Sequence, residues 1–126
     1  MADDAYEAGM KVRREVLGDE HMDRAHAATT PFTAPFQEYI TRAAWGEVWN
    51  RDGLDRRTRS AITLAVLAAL GRENEIALHV RGARRNGLSE AEIGEVLLHT
   101  AVYAGVPAAN AAFAVARKVL EDDEAR

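Results

Sequence analysis

The chain has 126 residues, 29% of them charged and 48% drawn from AVILMFWYC, which bounds it to one globular domain (1–126) with no tract polar enough for disorder. Sixteen basic against twenty acidic side chains give a net charge of −4, a field that favours neither nucleic acid nor an anionic membrane. Cysteine is absent, which removes disulfides, thiolate nucleophiles, CxxC redox pairs, thiolate zinc sites and Cys-ligated iron–sulfur clusters together.

Tyr6, Met10, Val12 and Leu17 place a loosely amphipathic helix over Asp4 to Leu17, ended by Gly18-Asp19. A shorter helical piece is expected from His21 to Ala28, stopped by Thr29-Thr30-Pro31, because a residue before proline is pushed out of the helical region. After Pro35, Phe36, Ile40, Ala43 or Ala44 and Val48 recur at helical spacing through Trp49. Arg51-Asp52-Gly53 breaks that pattern, and Asp55 can cap the next helix. Its second half, Ile62 to Leu70, is apolar on nearly every side, which predicts a central helix. Asn74 to Asn86 carries Ile76, Val80 and Ala83 on one stripe, with Gly87 as a left-handed cap. Ser89 followed by Glu92 is a capping box for a helix running to Gly105, and Pro107 suits the first turn of the last helix. No segment alternates with a period of two, so the fold class is all-α, with about six to seven helices. Twenty-five alanines, strong helix formers with small side chains, imply close packing between those helices. No apolar run approaches the roughly 20 residues that span a bilayer, and the N-terminus is acidic where a signal peptide is basic then apolar. A soluble, cytoplasmic protein is expected.

With cysteine gone, chemistry falls to His, carboxylates, Tyr, Trp, Arg and hydroxyls. Glu75 and His79 are four apart on one helical face, where a carboxylate can stabilise the charged ring and fix its tautomer for proton transfer. The same spacing is common on solvated helices. The four histidines have no spacing that argues for a shared metal ion. Trp45 and Trp49 are one turn apart beside Gly46, either a wall for a flat ligand or two anchors of a core or subunit interface. Arginine outnumbers lysine 14 to 2, a ratio that codon bias explains, so only local clusters count. Arg51, Arg56, Arg57 and Arg59 crowd a helix N-terminus, which suits a carboxylate ligand and equally a solvated turn. His99 and Tyr103 form another four-residue pair next to the Gly105-Val106-Pro107 corner.

Together these strings resemble one family, the γ-carboxymuconolactone decarboxylases, within the wider group that shares the alkylhydroperoxidase-like helical fold. The resemblance rests on YEAGMKVRREVLGDEH (6–21), FQEYITRAAWGEVWNRDGLDRRTRSAITLAVLAALGR (36–72), ALHVRGARRNGLSEAEIGEV (77–96) and AVYAGVPAANAAF (101–113), in family order. Redox members of the group carry CxxC four residues ahead of a helix histidine. With that histidine at His79, the two Cys positions fall on Arg72 and Glu75, and the glutamate supporting the redox relay falls near Ser60. The resemblance thus turns a thiol–His unit into a carboxylate–His unit. Where decarboxylase relatives read His-Ala-Trp-Gly, this chain has Ala43-Ala44-Trp45-Gly46, so no histidine acts from position 43.

The implied reaction takes 4-carboxymuconolactone to β-ketoadipate enol-lactone and CO2 in aromatic catabolism. The lactone is its own electron sink, so no cofactor is expected. The resemblance implies His79 as proton donor held by Glu75, with Arg51, Arg57, Arg59 and Arg42 as candidates to bind carboxylates, and Trp45 and Tyr103 shaping the pocket. It also implies a homo-oligomer, a trimer or hexamer, consistent with a short chain that buries only about two-thirds of its surface. Two rivals stand beside this reading: an enzyme acting on a related lactone or keto acid, and a non-enzymatic helical domain that binds protein or DNA.

Overall fold

Helix boundaries fall where the sequence carries residues that cannot continue a helix. In the computed structural model, which describes residues 4–124, seven α-helices and one π-helical segment follow one another, with no strand among the described residues. The all-helical expectation holds. The chain divides into two compact units, Met1–Asp55 and Arg56–Arg126, each with its own interior.

The N-terminal unit contains α1 (Asp4–Leu17), α2 (Asp19–Ala28), α3 (Ala34–Ile40) and a π segment (Thr41–Val48). The single helix expected from Phe36 to Trp49 is therefore α-helical only at its start. Beyond Ile40 the turns widen, and the amide of Trp49 reaches back five residues to the carbonyl of Ala44 at 2.9 Å. The wide stretch lies against α1 with backbone touching backbone. A Cβ added at Gly9 would sit 2.0 Å from the carbonyl oxygen of Thr41, and one at Gly46 would sit 2.1 Å from that of Ala5. Val12, Val16, Leu17, Met22 and Trp45 fill the interior.

The C-terminal unit contains α4 (Arg56–Leu70), α5 (Glu73–Arg85), α6 (Glu90–Ala104) and α7 (Val106–Glu124). Its core is aliphatic: Leu64, Ala68, Ile76, Val80, Ile93, Leu97 and Ala112 are all but sealed from water. Two local signals work as the sequence predicts. Gly87 adopts φ +97° after α5, a conformation that costs other residues a steric clash. Ser89 and Glu92 form the reciprocal capping box, with Glu92 N–H donating to Ser89 Oγ at 3.0 Å and Ser89 N–H to Glu92 Oε1 at 2.9 Å. α4 packs against α5, α6 and α7, as a central helix should. It is nevertheless open on one side of the chain: Ile62, Val66 and Leu70, four residues apart, are 47%, 48% and 59% exposed.

Candidate active site

Helix α5 starts at Glu73, and the carboxylates of Glu73 and Glu75 sit in its first turn, where the positive end of the helix dipole favours them. Ile76, Val80 and Ala83 turn inward, which leaves Glu75 exposed and His79 half-buried one turn further on. The Nδ1 edge of His79 lies below the surface. The Glu75 carboxylate makes no hydrogen bond or ion pair among the described residues. The two groups share a helix flank as their spacing predicts, without being clasped together. The position matched to the redox relay glutamate, Ser60, is fully buried on α4, and its Oγ accepts a hydrogen bond from Asn86 Nδ2 at 2.9 Å. It ties α4 to the end of α5 and carries no titratable group.

The arginines differ among themselves. Arg57, at the start of α4, donates to the carbonyl of Gly87 and to Oε2 of Glu92, so its guanidinium braces the α5–α6 junction. The Ser89 amide, and after it Arg57, hold the Glu92 carboxyl below the usual glutamate value. Arg59 is half-buried, with Nε beneath the surface. Tyr103 is 81% exposed and its ring leans on that of His99, centroids 5.1 Å apart. Both line an apolar groove of about 530 Å3 between α4 and α6, together with Ala65, Val66 and Ala69; neither Glu75 nor His79 lines it.

Three expected site residues lie in the N-terminal unit. Arg42 and Arg51 are exposed there. Trp45 is 5% exposed and stacks on Trp49, with ring centroids 4.9 Å apart, so its indole packs that unit's interior. The backbone of Gly46, beside the first tryptophan, lies against α1. Sequence reasoning missed Arg13, which is buried beside a cavity in this unit, and the second duty of Glu92 toward Arg57. No local pattern signals either, since Arg57 and Glu92 are 35 residues apart. Among the described residues, no three His, Asp or Glu side chains converge into a metal-ligand set.

Residues 34–118 match the carboxymuconolactone decarboxylase family. A 4-carboxymuconolactone decarboxylase of Acinetobacter baylyi is 49% identical over 93% of this chain and 87% of its own length. The chain belongs to the carboxymuconolactone decarboxylase family. Its helical architecture is that family's alkylhydroperoxidase-like fold. A second family relative, the nitrosuccinic acid decarboxylase of Metarhizium robertsii, is 47% identical over 93% of this chain and 82% of its own length. A 4-carboxymuconolactone decarboxylase of Pseudomonas putida matches 42 residues, a third of the chain, at 55% identity.

Proposed function

We propose that the protein is a cofactor-independent decarboxylase that converts 4-carboxymuconolactone to β-ketoadipate enol-lactone and CO2 in the cytoplasm. The observation that carries this reading is 49% identity to a 4-carboxymuconolactone decarboxylase across nearly the whole chain. The chemistry suits the residues. As CO2 leaves the ring carbon bonded to the lactone oxygen, its bonding electrons run through the ring double bond to the lactone carbonyl, giving a furan-like dienolate. Protonation of a ring carbon completes the reaction. What is asked of the protein is a seat for carboxylates, donors toward the charge arriving on the lactone oxygen, and one proton.

His79 supplies that proton from Nε2, the edge opposite its buried Nδ1. Glu75, exposed one turn earlier on the same helix flank, is the carboxylate that orients His79. Arg59 is the carboxylate-binding arginine of α4, and Arg57 sets the junction on which α5 ends. Arg42, Arg51 and Tyr103, all exposed, are candidates for carboxylate holding that are testable one at a time, whereas Trp45 packs an interior and takes no part in that role. With the fold intact by far-UV circular dichroism, His79→Ala should lower kcat by about 10²- to 10⁴-fold, followed as loss of 4-carboxymuconolactone absorbance with CO2 release. Near-normal turnover removes His79 from the mechanism. Glu75→Gln should cost less, since it orients rather than donates.

A second reading is favoured by the Metarhizium robertsii relative, named for nitrosuccinic acid. There too a carboxylate departs beside an electron-accepting group, here a nitro group, while a second carboxylate stays behind. Comparing kcat/KM for the two acids decides between them. The family match crosses the boundary between the two units, which supports 1–126 as one decarboxylase-like domain. The open apolar residues Ile62, Val66, Leu70, Val102 and Val106 support a homo-oligomer, a trimer or hexamer, and light scattering on the purified protein measures it.

A further inference from the structure

The N-terminal unit buries a cation that the decarboxylation scheme does not use. Arg13 of α1 is 7% exposed, yet no carboxylate among the described residues pairs with it. Its Nη1 donates to Oγ1 of Thr41 at 3.1 Å, and its Nε is buried without an acceptor. The neighbouring Arg14 shows the ordinary arrangement: half-buried, it pairs with Asp19 at 3.1 Å and Asp23 at 2.9 Å. The three acids of α2 thus pair with other arginines, Asp19 and Asp23 with Arg14 and Glu20 with Arg24, and Arg13 is left without a carboxylate among the described residues. Burial pushes the pKa of Arg13 down, the nearby Tyr6 phenol acts the other way, and a guanidinium stays charged in either case. Charges this deep are ordinarily paired, because desolvation is costly.

Arg13 lines a cavity of about 150 Å3, together with Tyr6, Met10, His26, Gln37 and Thr41. That is room for about five water molecules. Apolar surface from Met10, Met22, Ala25 and Ala34 makes up most of its wall, and polar side chains, Arg14 and Glu38 among them, complete it, a lining sized for a small ligand.

We propose that this cavity is a binding site for a small organic carboxylate, with Arg13 supplying the countercharge. A planar guanidinium matches a carboxylate edge to edge, and the methionine wall suits a short carbon chain where a bare inorganic anion would find nothing. Glu38, exposed at the edge of the same cavity, is the like charge that such a ligand must tolerate.

Titrating the full chain with succinate, read by amide chemical shifts, tests this directly. Saturable shifts are expected at Ala25, Thr29, Gln37 and Thr41. Arg13→Met should weaken binding about tenfold or more, the usual worth of a hydrogen-bonded charge. Arg24→Ala, which removes an exposed arginine paired with Glu20, should leave it unchanged, and Glu38→Gln should tighten it. Shifts confined to other residues, or an Arg13→Met protein that titrates like the original, overturn the proposal. If Arg13→Met does not fold, Arg13→Lys keeps the charge but loses the fork, and undiminished succinate affinity then overturns it. Inorganic phosphate that saturates the same amides as tightly overturns the carboxylate class. Binding is read without turnover, so failure of the decarboxylase reading leaves this result distinct.

Discussion

In the C-terminal unit the interior is built of branched aliphatic side chains on four helices, and contact passes from side chain to side chain through Leu64, Ile76, Val80, Ile93 and Leu97. In the N-terminal unit α1 meets the π segment through two glycines with no side chain between the backbones, and the interior includes an indole and an arginine. The first arrangement distributes its stability over many interchangeable contacts. The second concentrates it at one close approach and leaves a cavity beside a charge. Interchangeable aliphatic packing gives a tolerant frame, while close approach and a buried polar group give a specific shape that tolerates little.

Substitutions at glycine break this contrast most sharply. Gly9→Ala should cost about 3 kcal/mol or more in urea unfolding followed by circular dichroism, since neither backbone can yield without moving a helix. A loss under about 1 kcal/mol would mean that α1 slides off the π segment cheaply. In the aliphatic unit, Leu64→Ala should cost about 3 kcal/mol through its cavity, and Leu64→Met less than about 1.5 kcal/mol.

A smaller effect depends on pH. Glu92 is held below its ordinary value of 4.5 by the Ser89 amide and Arg57, so its contribution is present above 4.5 and fades as pH falls through the lower folded value. Glu92→Gln should be less stable than the original at pH 7, with the gap closing on acidification below 4.5. A gap independent of pH would mean that the carboxylate's charge is irrelevant to the cap. Smallest, and opposite in sign, is Gly94→Ala on α6. An added Cβ there meets nothing within 4 Å, so the melting temperature should rise, by about 0.5–1 kcal/mol in stability.

Helix ends were legible because their causes are local. Gly18, Gly71, Gly87 and Gly105 all take positive φ where the sequence breaks its periodicity, and the Ser89–Glu92 box forms as its spacing requires. The π turns were not legible. Their residues carry ordinary helical periodicity, and the register change coincides with the contact between Gly46 and a helix some forty residues earlier. Glu75 and His79 were legible as neighbours for the same local reason, since one helical turn fixes them. The burial of Arg13 was hidden, because an arginine in a helix reads as solvated until the partners that pack over it are known.

The meeting of Gly9 and Gly46 also bears on how the molecule can be varied. Elsewhere in the core a side chain can be trimmed or lengthened by one methylene at a time, so function and stability can be traded along a slope. At these two positions the alphabet has only one letter short enough, and the next one already overlaps a carbonyl oxygen. Any change there is a step. Changes elsewhere in this unit can therefore accumulate while the crossing itself stays as it is.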